Sequence, residues 1–142
     1  MRAPVAAAVV GPGAFALAAL LGGRRVPGYR PVDEPISALA AQGSRAAGVM
    51  VSGFLALGAS TVVLARELDG TPGAPPPVPA LLALAGATTA AAGLARCSDR
   101  SCPTRGLDNG DPTPSDDLHA IFSAATFALW IAAPLVAARR AE

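Results

Sequence analysis

Charged side chains leave four long stretches of this 142-residue chain untouched, and that pattern limits its fold more than any other feature. The first stretch covers residues 3–23, between Arg2 and Arg24, and the second covers 46–65, between Arg45 and Arg66. The third lies between Asp69 and Arg96; after the Pro-rich lead-in Pro75-Pro76-Pro77-Val78-Pro79 it is apolar from Ala80 to Ala95. The fourth covers 118–138 and holds His119 as its only titratable group. A helix that crosses a bilayer needs ~20 mostly apolar residues, so each stretch is long enough, the third with its lead-in. A soluble bundle helix would carry a charged stripe on its outer face, and none of the four has one. Lipid offers the backbone no hydrogen-bond partner, which leaves helices as the available structure. The sequence therefore predicts an all-α fold: an integral membrane bundle of about four transmembrane helices, at about 3–23, 46–65, 77–96 and 114–138, forming one transmembrane domain over 1–142.

Composition agrees with this. Hydrophobic residues make up 52% of the chain and aromatics only 4%, so the large side chains of a water-soluble core are scarce. Mean hydropathy is +0.46. The formal net charge is +1, which gives no electrostatic excess for a nucleic-acid backbone. Met1-Arg2 followed by an apolar run also resembles a signal peptide. The length of that run and the Arg24-Arg25 pair after it favour a retained helix, loosened near Pro12.

Four spans place both termini on one side and the long loops 23–45 and 96–117 together on the other. Arginines near the helix ends are balanced between the two sides, so the positive-inside count is a tie. The Arg139-Arg140 tail and the location of the only two cysteines, Cys97 and Cys102, break it. A close cysteine pair suits an oxidising compartment, which puts the termini in the cytoplasm and the long loops outside a cell membrane. Cys97 and Cys102 would then close a disulfide worth ~2 kcal/mol by loop entropy. The alternative, a metal site using Cys97, Cys102 and His119, falls short of the four regularly spaced ligands zinc prefers. No metal or cofactor is expected.

Both loops carry helix signals. In the first, Asp33 can cap a short interfacial helix, Pro35 fits its first turn, Ile36, Leu39 and Ala40 recur at helical spacing, and Gly43 can end it. Such a helix would hold Asp33, Glu34 and Ser37 near the interface, with its apolar face on the membrane or on the bundle. In the second, Thr113 reads as an N-cap, Pro114 as the first helical position and Asp116 as the third. Asp116 and Asp117 also favour a helix start through the dipole. His119, Ser123 and Thr126 follow along one face of that helix. In the second span, Gly48, Ser52, Ala56 and Ser60 repeat every four residues, a small-residue row that lets a helix of the same or another protomer approach. Thr88 and Thr89 in the third span are expected to bond their own backbone.

The run Tyr29-Arg30-Pro31-Val32-Asp33-Glu34-Pro35-Ile36-Ser37-Ala38-Leu39, followed by the Gly-containing helix 46–65, resembles the bacterial membrane family of domain of unknown function 998 (DUF998). Asp99 and His119 match that family's Pro/Asp-containing turn and the His heading the next helix. The resemblance covers roughly 5–138. It implies a short, four-helix member of a family that usually runs through about six, and the loop with Cys97 and Cys102 departs from the usual turn pattern. It implies a membrane location and no particular chemistry.

Two functional readings follow. The first is a non-catalytic, multi-pass membrane protein whose partners are the lipid bilayer and a membrane protein or a second copy of itself, with no nucleic acid. The second is a membrane enzyme acting on lipid head groups, in which His119, Asp99 and Asp33 or Glu34 converge around Ser37 at the outer interface. One His and no recognised nucleophile motif weigh against it. A transporter comes third, because no helix core holds an ionisable residue of the kind that marks an ion path. His119 is also expected to bridge the outer loops by bonding Asp33, Glu34 or Ser37.

Overall fold

A computed structural model describes residues 3–71, 74–98 and 113–139. The described residues form four α-helices and no strand: α1 (Ala3–Arg25), α2 (Ala47–Leu68), α3 (Pro77–Leu94) and α4 (Pro114–Arg139), with a 3-10 helix at Ile36–Ala40. All four are long and apolar enough to cross a membrane. The shortest, α3, has 18 residues, about 27 Å at a rise of ~1.5 Å per residue, close to the ~30 Å of a bilayer's hydrocarbon core. Outward faces are apolar: Leu20 on α1 is 65% exposed and Phe127 on α4 is 70% exposed. Water is a poor solvent for such faces, and lipid is a good one. The protein is an all-helical bundle suited to the membrane.

The helices pack in chain order, α1 on α2, α2 on α3 and α3 on α4, with no comparable packing of α1 on α4. The bundle is therefore open on one side. Backbones approach most closely where α2 crosses α3: a Cβ on Gly58 would lie 2.6 Å from the Gly86 carbonyl oxygen, and one on Gly86 would lie 2.5 Å from that of Gly58. At the α1–α2 contact, a Cβ on Gly53 would lie 2.7 Å from that of Ala18, and Gly11 faces Ser60 and the Ala56 carbonyl. Of the small-residue row in α2, only Ala56 and Ser60 face another helix in this way. Gly48 and Ser52 are exposed, Gly48 has nothing within 4 Å of a built Cβ, and Ser52 donates to the Gly48 carbonyl. The closest approach thus runs through Gly58, outside the expected row, because only glycine lets two backbones meet at that separation.

The first loop folds back on the bundle as a 3-10 turn. Ala38 N–H donates to Pro35 and Ala41 N–H to Ala38. This five-residue segment uses the tighter i→i+3 pattern that is common in short connectors. Leu39 and Ala40 are buried with Ala18, Val26, Ala46 and Met50. No side chain caps this turn, which corrects the expectation for Asp33. That carboxylate instead pairs with Arg30 at 2.7 Å.

The two long loops meet at one end of the bundle. Arg96, just past α3, donates from Nε to the Ala40 carbonyl and from Nη2 to that of Ala41, both at 2.9 Å. Gln42 N–H donates to the Cys97 carbonyl, and Gln42 Nε2 to that of Arg96. At the start of α4, Asp116 accepts from Thr113 N–H at 2.8 Å, while Asp116 N–H reaches back to Thr113 Oγ1 at 3.4 Å. This reciprocal pair is a capping box. The same carboxylate accepts from Ser98 N–H at 2.7 Å, which fastens α4 to the segment after α3.

Candidate functional site

The open side of the bundle leads into a cavity of about 580 Å³, within the ~300–1,000 Å³ typical of ligand pockets. Phe15 of α1 forms one wall, and Phe127 and Trp130 of α4 form the other. Phe54, Leu57, Thr89 and Ala92 make the floor, and Pro35, Ile36 and Ser37 the roof. Polar groups cluster toward the loop end, where His119, Ser123 and Thr126 join Ser37 and Thr89. Among the described residues, no Asp, Glu or Arg contributes to the lining.

Backbone choices set these walls. A Cβ on Gly93 would run into Phe54, so glycine at that point lets the Phe54 ring seat itself against α3. Phe54 then meets Phe15 edge to face, with ring centroids 5.1 Å apart, a favourable geometry for two aromatic quadrupoles. Three of the chain's four Phe and its single Trp line this one cavity. The sequence reading missed them, although a concentration of rings in so aromatic-poor a chain was the available signal.

His119 is 2% exposed. Its Nδ1 lies 2.8 Å from the Ala92 carbonyl oxygen and 2.9 Å from that of Ala95. Carbonyls only accept, so Nδ1 carries the proton and donates to both, and Nε2 is left to accept from Ser123 Oγ at 3.3 Å. The last carbonyls of a helix lack intrahelical donors. Arg96 N–H, which would have continued the α3 ladder to Ala92, turns to Leu94 instead. His119 therefore caps the C-terminus of α3 from a neighbouring helix. Further along the same face of α4, Thr126 Oγ1 donates to Thr88 Oγ1 at 2.9 Å. Thr88 in turn donates to its own helix backbone, as does Thr89.

This arrangement corrects the expected bridge from His119 to the first loop: its hydrogen bonds run to α3 and to Ser123. Asp33 and Glu34 lie outside the cavity lining and are occupied locally, Asp33 by Arg30 and Glu34 by the Arg30 N–H at 3.2 Å. Ser37 is buried and shares the cavity with His119. Asp99 and Cys102 lie outside the described residues. Cys97 is buried and disulfide-bonded. No group of three or more His, Cys, Asp or Glu that could hold a metal occurs among the described residues.

The model of one protein family, described as a protein of unknown function (DUF998), matches residues 9–142. Neither a curated protein nor a solved structure matches the chain.

Proposed function

Taking as premise that the chain belongs to the DUF998 family, we propose that it is a non-catalytic, multi-pass membrane protein that binds one lipid chain in the cleft between α1 and α4. The observation that carries this reading is the cavity itself: about 580 Å³, walled by Phe15, Phe127 and Trp130, on the side where the bundle is open to the bilayer. An aromatic and aliphatic wall with a few polar groups at one end suits an amphipathic ligand entering sideways from the membrane. A test is native mass spectrometry of protein released directly from membranes. Wild type should retain one lipid per chain. Leu57→Trp, which fills the floor, should lose it, whereas Leu84→Trp on the exposed side of α3 should keep it. Equal lipid content in all three would remove the cleft as the binding site.

One observation favours a second reading, a membrane acyl hydrolase: Ser123 Oγ and His119 Nε2 are 3.3 Å apart at the cavity wall, a nucleophile beside a base. The capping bonds of Nδ1 explain His119 equally well, so this reading ranks second. A serine-directed fluorophosphonate separates the two. Labelling that disappears in Ser123→Ala would favour the hydrolase, and no labelling would favour binding alone.

For orientation, we propose that the termini are cytoplasmic and that the loops 23–45 and 96–117 lie outside the cell membrane, with Cys97 and Cys102 paired there. The buried, oxidised state of Cys97 supports this. Thiols that react only after lysis and reduction fit the proposal. Free thiols in intact cells, shielded from an impermeant reagent, would reverse the topology.

A further inference from the structure

The hydrogen-bond directions inside the cavity bear on which lipid it takes. Each hydroxyl on the α3 and α4 walls has one proton to give, and each has given it to the protein. Ser123 Oγ donates to His119 Nε2, Thr126 Oγ1 to Thr88, and Thr89 Oγ1 to the Ala85 carbonyl. The His119 Nδ1 proton is held by two carbonyls. Thr89 and His119 are each 2% exposed, so these bonds are shielded from exchange with water. Around His119, Ser123 and Thr126 these walls therefore retain lone pairs and have no N–H or O–H left to offer; the indole N–H of Trp130 lies at the other end of the cavity, eleven residues along from His119. The walls also carry no cation, since no Arg lines the cavity among the described residues.

An ester carbonyl or a phosphate brings only acceptors and would face those lone pairs unpaired, while an anionic head group would also lose its hydration without a counter-charge. A hydroxyl brings the donor the walls lack. We propose that the cavity selects a neutral lipid with a free hydroxyl, such as a long-chain alcohol or a partial glyceride, whose O–H donates to Ser123 Oγ or Thr126 Oγ1 while its chain runs down past Phe127 to Trp130. His119 and Trp130 are eleven residues apart in the sequence, roughly 16 Å of helix rise, which gives such a chain room to extend. This inference rests on the cleft being the lipid site.

Trp130, the only tryptophan, supplies the readout. In purified full-length protein, an ω-bromo long-chain alcohol should quench Trp130 saturably. Its methyl ether, which has the same chain and oxygen but no donor, should bind roughly fivefold more weakly, the order expected for one neutral hydrogen bond. The ω-bromoalkyl sulfate should bind more weakly than the alcohol too. Ser123→Ala combined with Thr126→Val should erase the preference for alcohol over ether while the chain still binds. Because that double variant also removes partners of His119 and Thr88, the wild-type comparison decides by itself. Equal affinity for alcohol and ether overturns the hydroxyl inference and leaves the cleft as a chain site. Absence of saturable quenching by all three probes overturns the cleft reading, and this inference with it.

Discussion

Replacing His119 tests whether the residue is a structural cap. In His119→Ala the Ala92 and Ala95 carbonyl oxygens lose the one N–H they share. The site is 2% exposed, so water does not readily replace it. Leaving a buried acceptor unsatisfied costs about 1–3 kcal/mol. Two oxygens share one donor here, so the bonds count once, and lost ring packing adds to them. The expected loss is about 2–3 kcal/mol of stability. The conservative replacements give a sharper result. The amide nitrogen of Asn stands as many bonds from Cα as Nδ1 does, whereas that of Gln matches Nε2. Since the capping bonds use Nδ1, His119→Asn should recover part of the loss and His119→Gln should recover less. Thermal unfolding in a single detergent, followed by loss of the monodisperse peak, measures the series. An alanine variant as stable as wild type, or rescue by Gln and not by Asn, would refute the capping argument.

Other substitutions test the packing and the loop anchor. Gly58→Val should abolish the stable fold, because its side chain would meet the Gly86 carbonyl oxygen across the α2–α3 crossing. Ser52→Leu, on an exposed face of α2, should leave detergent stability unchanged, and the reverse order would contradict the packing described. Arg96→Ala removes two charged donors from the Ala40 and Ala41 carbonyls, a change of about 1.5–3 kcal/mol per such bond at most. It should raise amide hydrogen exchange over residues 38–47, with Arg96→Lys restoring only part, since a single ammonium does not reproduce the guanidinium fork. Unaltered exchange in Arg96→Ala would mean that hydrophobic packing alone holds the loop.

Much of the fold was readable because charge-free stretches are long-range signals: a missing outer charged stripe distinguishes lipid from water over twenty residues at a time. The N-terminal signals of α4 were readable for a local reason, since Thr113 and Asp116 hold each other within one turn. The spacing of His119, Ser123 and Thr126 also placed them on one face, and all three line the cavity. What the sequence withheld was their partners. His119 and Arg96 bond backbone carbonyls, and every residue carries a carbonyl, so nothing in the sequence distinguishes Ala92 or Ala40 from its neighbours. The Gly48-Ser52-Ala56-Ser60 row was ambiguous for a related reason. In a helix this rich in glycine and alanine several small-residue rows coexist, and only the assembled bundle identifies Gly58 as the closest approach to α3.

The central claim is that these four helices lie in a bilayer and not around a water-soluble core. Trp130 tests it most directly. It sits on α4 sixteen residues past Pro114 and nine before Arg139, at a depth that belongs to the hydrocarbon if α4 spans. In reconstituted vesicles its fluorescence should be quenched strongly by phospholipids brominated near mid-chain and only weakly by aqueous iodide. Strong quenching by iodide with little effect of brominated chains would place α4 in water and contradict the membrane bundle.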